Sequence, residues 1–173
     1  MKIRMLWQLW ILSVIFWFSA SAWSEESQPE ESRPEESRPY LFVLGVAQDA
    51  GYPQTGCYKP HCLPGWQDPT LRRGAASLAL IDPLAGKKYM FDATPNFPEQ
   101  LYRLETEAPS AQFELDGIFL THAHIGHYTG LMFLGHEAMG ASSVPVYAMP
   151  RMSEFLKTNG PWRSIGKTHA IYT

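Results

Sequence analysis

The segment LTHAHIGHYTGL, residues 120–131, contains three histidines within six positions, His122, His124 and His127. In an extended chain the side chains alternate between two faces, so those of His122 and His124 share one face. Gly126 permits a sharp turn after them, and His127, at the start of a predicted helix, can fold back toward the other two. Three neutral imidazoles that converge in this way are suited to zinc, which binds nitrogen ligands at about 2.0–2.1 Å in a tetrahedral shell. The segment therefore predicts a metal site.

The same histidines also permit a purely structural interpretation, in which they only cap chain ends and form hydrogen bonds. We favour this interpretation less, because such crowding of imidazoles at a strand end is costly without a ligand. His136 lies nine positions after His127, which places it on the opposite side of the predicted helix. We expect His136 to be a surface residue or a supporting one, and we leave His169 unassigned.

The remaining pattern alternates between strands and helices. Apolar runs bounded by turn signals predict strands in YLFVLGVAQ, ASLALID, KKYMFDA, DGIFLTHAH and VPVYAMP. Helical periodicity is present in FPEQLYRLETE and GHYTGLMFLGHEAMG, and a further short helix is predicted over residues 151–159. Strands separated by helices indicate an α/β fold, in which strand ends and the loops that follow them form the site.

The histidine segment also resembles a known family. THAHIGHYTGL after an apolar strand is similar to the His-x-His-x-Asp-His signature of the metallo-β-lactamase fold superfamily, and FDATPN resembles its aspartate turn at a strand end. VLGVAQDAGYPQTGCYKPHC and RRGAAS resemble a narrower branch, the pyrroloquinoline quinone biosynthesis protein B (PqqB-like) branch. The resemblance covers nearly everything from Tyr40 onward, and the histidine motif is its most specific element. It implies an αβ/βα sandwich, of which this chain would form the N-terminal part.

The resemblance also implies how the metal would be held. His122 and His124 would bind a first ion and His127 a second, with zinc as the expected metal and iron as the alternative. The aspartate of the family signature falls on Gly126 here, so the second position loses a carboxylate ligand. We therefore expect one strong zinc position rather than two, and a single zinc still permits hydrolysis.

The same resemblance leads us to expect an incomplete domain. In the family, a second αβ half supplies a third histidine for the first metal and a bridging carboxylate. This chain stops at THAIYT, which has the pattern of the beginning of another strand. We expect the domain to continue beyond its C-terminal residue.

Asp92 closes the predicted strand KKYMFDA and is the candidate catalytic carboxylate. It could accept a hydrogen bond from a metal-bound imidazole or fix the loop that carries the histidines. An equally favoured alternative is an Asx-type turn cap, because Asp before Thr-Pro-Asn is ordinary turn chemistry.

The segment GCYKPHC forms a second cluster, with Cys57, His61 and Cys62. In an exported protein two cysteines five positions apart most often form a disulfide. A structural metal site at these three residues is an equally favoured alternative, although it needs a fourth ligand that the sequence does not identify. Free thiols are the third interpretation.

The N-terminal part has the composition of an export signal and a linker. Lys2 and Arg4 precede an apolar run that ends in SASAWS, so residues 1–24 are expected to be a cleaved signal peptide, with an uncleaved anchor as the alternative. Residues 25–39 repeat an acidic unit rich in Glu, Ser and Pro, which cannot form a core and is expected to be an extended linker.

Residues 40–173 form the predicted metallo-β-lactamase-like domain, with ten Lys plus Arg against eleven Asp plus Glu. This near-neutral charge argues against a nucleic-acid partner. We expect a periplasmic or secreted, metal-dependent hydrolase of a small-molecule substrate, without a stable membrane span after signal cleavage. The alternatives are a PqqB-like role in cofactor biosynthesis or metal-dependent redox chemistry, and a non-catalytic binding protein on the same fold. Substrate and oligomeric state stay open.

Overall fold

A computed structural model of the chain describes residues 38–48, 50–110 and 115–173. The expected signal peptide, residues 1–24, and nearly all of the expected linker lie outside the described residues. Within the described part, no helix is long and apolar enough to cross a membrane.

One sheet of six strands organises the described residues, and the strands lie in it in chain order. The first three strands pair antiparallel, and each later neighbour pairs parallel. The strands are β1 (Tyr40–Gly45), β2 (Ser77–Asp82), β3 (Lys87–Phe91), β4 (Gly117–Phe119), β5 (Val144–Tyr147) and β6 (Ala170–Tyr172). All five predicted strands are present, and the THAIYT segment forms the sixth.

The described segments between these strands contain five α-helices: α1 (Leu63–Gln67), α2 (Phe97–Glu107), α3 (Ile125–Tyr128), α4 (Pro150–Thr158) and α5 (Trp162–Ile165). The predicted helices FPEQLYRLETE and 151–159 correspond to α2 and α4. Short 3₁₀ turns cover Pro69–Leu71 and Thr129–Leu134.

The single helix predicted for GHYTGLMFLGHEAMG is wrong. The α-helical part ends at Tyr128, because the backbone groups that would continue it bond instead to Ala93 in the loop after β3. The N–H of Gly130 donates to the Ala93 carbonyl at 2.8 Å, and the His127 carbonyl accepts from Ala93 N–H at 2.9 Å. The segment therefore proceeds as a 3₁₀ turn that lies against the loop after β3.

The strand predicted for DGIFLTHAH is shorter than expected. Its regular part is Gly117–Phe119, and Leu120 adds one further bond, from its N–H to the Tyr147 carbonyl at 2.8 Å. The next donor, Thr121 N–H, goes to the carboxylate of Asp92 at 2.8 Å, which takes the chain away from the sheet. The histidines thus lie on a loop beyond the carboxyl end of β4.

The two faces of the sheet have different surroundings. One face carries the buried core, where α2, the 3₁₀ turn Thr129–Leu134 and α4 pack on the sheet. The buried residues of this face include Leu44, Ala79, Met90, Ile118 and Val146. On the opposite face every second residue is also apolar, and it is exposed or half-buried. That outward set comprises Leu41, Val43, Leu78, Leu80, Tyr89, Phe91, Phe119, Pro145, Tyr147 and Ile171.

Candidate metal centre

Asp92 is the first residue after β3 and is 5% exposed. Its N–H donates to the Phe119 carbonyl at 2.8 Å, so its backbone is fixed against β4. Its φ of 67° lies in the left-handed region, which Asp tolerates better than most residues. This conformation turns a buried carboxylate toward the loop that carries the histidines.

The carboxylate of Asp92 contacts His127 directly. Asp92 Oδ2 lies 2.7 Å from His127 Nδ1, and both side chains are nearly buried. A carboxylate at this distance accepts the Nδ1–H of the neutral imidazole, which leaves Nε2 with a free lone pair. Metal-binding histidines commonly have such a carboxylate on their other nitrogen.

A second chain of contacts runs from Asp92 to His122 through Thr121. The Thr121 hydroxyl lies 2.9 Å from both Asp92 oxygens and 2.9 Å from His122 Nδ1. The single hydroxyl proton goes to the carboxylate, so the hydroxyl oxygen accepts Nδ1–H from His122. One carboxylate therefore assigns the same tautomer, with Nε2 unprotonated, to two histidines.

The three imidazoles lie close together, as the sequence predicted. His122 Nε2 and His124 Nδ1 are 3.0 Å apart, and the His122 ring centroid lies 4.0 Å from that of His127. Two nitrogen ligands of one tetrahedral zinc would be about 3.3 Å apart, given Zn–N distances near 2.0–2.1 Å. The His122 and His124 nitrogens are therefore spaced as two ligands of one ion, and the donor set suits zinc.

The turn between His124 and His127 is made by the short helix α3. His124 is its N-cap residue with extended backbone angles, and His127 N–H donates to the His124 carbonyl at 2.9 Å. Gly126 is buried in this turn. The fold-back of His127 expected from the sequence is thus present.

The other two histidines of the C-terminal region form a separate pair. His136 is exposed, as expected for a surface residue, and its ring stacks on His169 with the centroids 6.5 Å apart. His169 Nδ1 lies 2.7 Å from the Ala141 carbonyl.

Cys57 and Cys62 are joined by a disulfide, with a Cα–Cα distance of 5.9 Å. Of the three interpretations of GCYKPHC, the structure therefore has the disulfide. His61 lies beside it, with Nε2 3.7 Å from Cys57 Sγ, and the potential ligand atoms of all three residues lie within 4.8 Å. In the oxidised form neither sulfur is a thiolate, and a thiolate is what zinc binds.

A cavity of about 480 Å³ opens beside the histidines, between the loops that follow β4 and β5. Thr121, Tyr128 and Arg151 line it, and we did not single out any of these residues from the sequence. Thr121 stands directly before His122 and Tyr128 directly after His127, so adjacency to the motif was the available signal. Arg151 is distant in sequence, and only the parallel pairing of β4 with β5 brings it close.

Comparisons with known proteins agree with this fold. A model described as the β-lactamase superfamily domain matches residues 87–171. The chain is 28% identical over 123 residues to the coenzyme PQQ synthesis protein B of Rhodopseudomonas palustris, and 32% identical over 127 residues to that of Acinetobacter baylyi. The chain is a PqqB-like protein of the metallo-β-lactamase fold.

Two solved structures share this metallo-β-lactamase fold. Zinc-bound PqqB from Methylobacterium extorquens superposes with a TM-score of 0.62 at 20% identity, over 75% of this chain and 44% of that one. A diphosphatase of the PhnP family gives a TM-score of 0.51 at 31% identity, over 69% of this chain and 45% of that one. The two curated relatives are matched over 69% of this chain but only 38% and 40% of their own length. This chain thus spans about two fifths of those PqqB-like relatives.

Proposed function

We propose that this chain carries the histidine half of a zinc-dependent hydrolase that acts on a small molecule. The observation that supports the proposal is the pair of hydrogen-bonding paths from Asp92, one directly to His127 and one through Thr121 to His122. A carboxylate that fixes two imidazoles with their Nε2 atoms unprotonated is an arrangement for a cation rather than for hydrogen bonding alone.

The chain's own residues have separable tasks in such a site. His122 and His124 would hold the ion, and Asp92 keeps the imidazole rings in one orientation and tautomer. A zinc ion held there supplies a Lewis acid and a bound water with a pKa near 7. Because Asp92 is fully engaged by His127 and Thr121, we assign it a positioning task and not that of the base that takes a proton from water.

Gly126 limits the number of ions that we propose. At this position the family signature has an aspartate, and glycine offers no side-chain ligand. His127 alone is a poor second site, so we propose one tightly held zinc per chain. Two tightly held ions would show that another residue replaces the missing carboxylate.

The relatives support two candidate functions. The 31% identity to a diphosphatase supports a phosphorylated small molecule as the substrate. The curated relatives support the second candidate, a PqqB-like role in cofactor biosynthesis or metal-dependent redox chemistry. Bound iron would favour the redox candidate. Bound zinc alone does not separate the two, because the PqqB structure also holds zinc, so turnover has to be measured as well.

The test combines elemental analysis with turnover. The purified chain, zinc-loaded or stripped with EDTA, is assayed with bis(p-nitrophenyl) phosphate and with p-nitrophenyl acetate. We expect about one zinc per chain and zinc-dependent release of p-nitrophenol, both abolished in His122→Ala. The matched control is His136→Ala, which removes an exposed histidine outside the centre. Bound metal without turnover of either compound would favour a non-catalytic binding protein.

We also propose that the protein is exported to the periplasm or secreted, on the basis of the segment WFSASAWS. Cleavage after Ser24 would leave Glu25 as the first residue, and cleavage after Ala22 would leave Trp23. Intact-mass measurement of material recovered outside the cytoplasm distinguishes these. Recovery of a chain that begins at Met1 would contradict the proposal.

A further inference from the structure

Both polar and apolar side chains line the cavity beside the histidines. Thr121 and His122 belong to the histidine loop itself. Leu120, Met149, Met152 and Phe155 form apolar walls. A molecule bound in this cavity would thus contact thioethers and an aromatic ring as well as the His122 imidazole.

Arg151 lines the same cavity and is not used by the fold. It is exposed and makes no hydrogen bond or ion pair with any described residue. It is the second residue of α4, where the partial positive charge of the helix N-terminus disfavours a cation. A guanidinium in an unfavourable position, without a partner among the described residues, is available for an anionic ligand, which it can bind through two parallel hydrogen bonds.

Tyr128 supplies a second donor in the cavity. Its side chain is only 9% exposed, and its ring is held by Phe155 and Trp162, with centroids 6.0 and 5.0 Å away. Its hydroxyl has no hydrogen-bond partner in the described part of the chain. The hydroxyl is not among the buried side-chain atoms that lack a hydrogen-bond partner in the described residues. It is therefore accessible from the cavity that Tyr128 lines, where it can donate a hydrogen bond to a ligand.

We infer that Arg151 and Tyr128 form a subsite for an oxyanion, a phosphate or a carboxylate, on a substrate whose other part is apolar. The inference deepens the proposed function, because the oxyanion would be held next to the bond presented to the metal centre. Arg151 and Tyr128 determine specificity by binding the oxyanion. The side chains of Met149, Met152 and Phe155 bind the apolar part of the substrate.

Binding of small probes tests the subsite without turnover. Phenylphosphonate, benzoate and the neutral benzyl alcohol are titrated by NMR into the EDTA-treated chain, so that zinc cannot hold the anion. We expect the two anions to bind and benzyl alcohol to bind at least tenfold more weakly. Arg151→Gln should weaken anion binding by about tenfold or more, since a hydrogen bond to a charged group is lost. Arg151→Lys should recover part of the affinity, and Tyr128→Phe should weaken binding by about three- to tenfold.

Lys157→Gln is the matched control, because it removes one positive charge from the exposed last turn of the same helix. It should leave anion binding within about twofold. The inference is overturned if Arg151→Gln binds phenylphosphonate and benzoate like the unmodified chain, or if Lys157→Gln weakens binding equally. A preference for phenylphosphonate over benzoate would identify the oxyanion as a phosphate, and the reverse a carboxylate. Absence of turnover with anion binding intact would count against the hydrolase alone.

Discussion

Asp92 connects the sheet to the histidine loop, since its N–H bonds to β4 while its carboxylate bonds to Thr121 and His127. Of the two interpretations left open by the sequence, the geometry agrees with the first: the carboxylate bonds to an imidazole and to the loop that carries the histidines. The Asx-type cap of its own turn is not among the bonds of the described residues, where Thr94 bonds to Asn96 N–H instead. Because Asp92 is buried and its oxygens have few alternatives, removing its charge should disturb two imidazoles at once.

The first prediction concerns Asp92→Asn. Asparagine has the same shape and tolerates the left-handed φ, so the backbone should be preserved. Its amide offers only one oxygen, and the NH₂ group cannot accept a hydrogen bond from His127 or Thr121. We expect zinc affinity to fall by about 10–100-fold, measured by competition with a chromogenic chelator.

Asp82→Asn is the control, since within the described residues Asp82 accepts bonds only from the turn residues Leu84 and Ala85. It should leave zinc affinity unchanged. Equal zinc affinity in Asp92→Asn and the unmodified chain would remove the positioning task from Asp92.

At this scale the sequence predicted that the three histidines lie together and that Asp92 supports their loop, but it did not predict the parts of Thr121 and Arg151. The spacing of His122, His124 and His127 is a local pattern, and local geometry alone brings the rings together. The contacts of Thr121 with Asp92 span 29 residues and depend on the pairing of β3 with β4. The position of Arg151 likewise depends on tertiary structure, which no periodicity within one segment reports.

At the scale of elements, the 3₁₀ turn after α3 packs on the loop after β3 through Gly130. A Cβ at Gly130 would lie 2.2 Å from the Thr94 carbonyl oxygen and 2.7 Å from Phe97 Cβ. Only a residue without a side chain permits this approach. The helix expected here was wrong because periodicity predicts helical contacts, whereas the backbone of this segment bonds to a neighbouring loop.

The second prediction is that Gly130→Ala separates these two segments. Overpacking of this kind costs about 1–3 kcal/mol of unfolding free energy. It should also lower zinc affinity, because Gly130 bonds to Ala93, the neighbour of Asp92, and the Asp92 carboxylate orients His122 through Thr121. Urea denaturation and chelator competition measure the two effects. Gly160→Ala, where a Cβ meets open space, should change neither. Unaltered stability in Gly130→Ala would show that the loop after β3 yields freely.

An ion pair between β3 and α2 is a second link between elements. Lys88 is almost fully buried, and its Nζ donates to Glu105, to the Ala108 carbonyl at 2.8 Å and to Ser110. Burial acts to raise the pKa of Glu105, but the bonds from Lys88 and Ser110 outweigh it and hold that pKa below its ordinary value. The charged form of Glu105 is therefore favoured by folding.

The third prediction concerns acid sensitivity. A folded-state pKa that is lower than the unfolded one gives stability that is present above the ordinary value of 4.5 and is lost as the pH falls through the folded value. Lys88→Met should be less stable than the unmodified chain by about 1–3 kcal/mol at pH 7. Its stability should also fall less steeply below pH 4.5, as measured by urea denaturation across pH.

Lys87→Met is the control. It breaks a more exposed pair with Asp116 and should cost under about 1 kcal/mol of unfolding free energy. Identical acid profiles for Lys88→Met and the unmodified chain would contradict the argument.

At the scale of the whole molecule, strand order and core were largely predictable, because each strand carries an apolar run with clear turn signals. Lys87–Phe91 and Phe97–Glu107 have nearly the predicted bounds. Most strands are apolar at nearly every position, a feature of the sequence from which we drew no prediction. Such strands are buried on both faces, yet in the described residues only one face is covered.

The uncovered face carries a ladder of rings across three strands. Phe119 stacks on Phe91 at 5.4 Å and on Tyr147 at 4.7 Å, while Leu41 is 60% and Ile171 48% exposed at the two edges. Six strands spaced about 4.8 Å apart, each roughly 10–20 Å long, give an apolar area of about 300–600 Å². That area matches the largest apolar patch of a typical soluble monomer, which often has a function in binding.

The fourth prediction is that the 173-residue chain associates with a second copy of itself through this face, because burial of apolar surface is favourable and no charge interrupts the patch at its centre. Sedimentation velocity should show a concentration-dependent shift from monomer to dimer. Val43→Lys and Tyr147→Lys place a charge on the outward face and should return the chain to monomer at the same concentration.

Tyr102→Lys is the matched control, since Tyr102 is 74% exposed but lies on α2, on the other side of the sheet. A chain that stays monomeric at high concentration would show that the face is covered in solution by a part of the same chain, and a dimer that persists in both lysine variants would place the contact elsewhere.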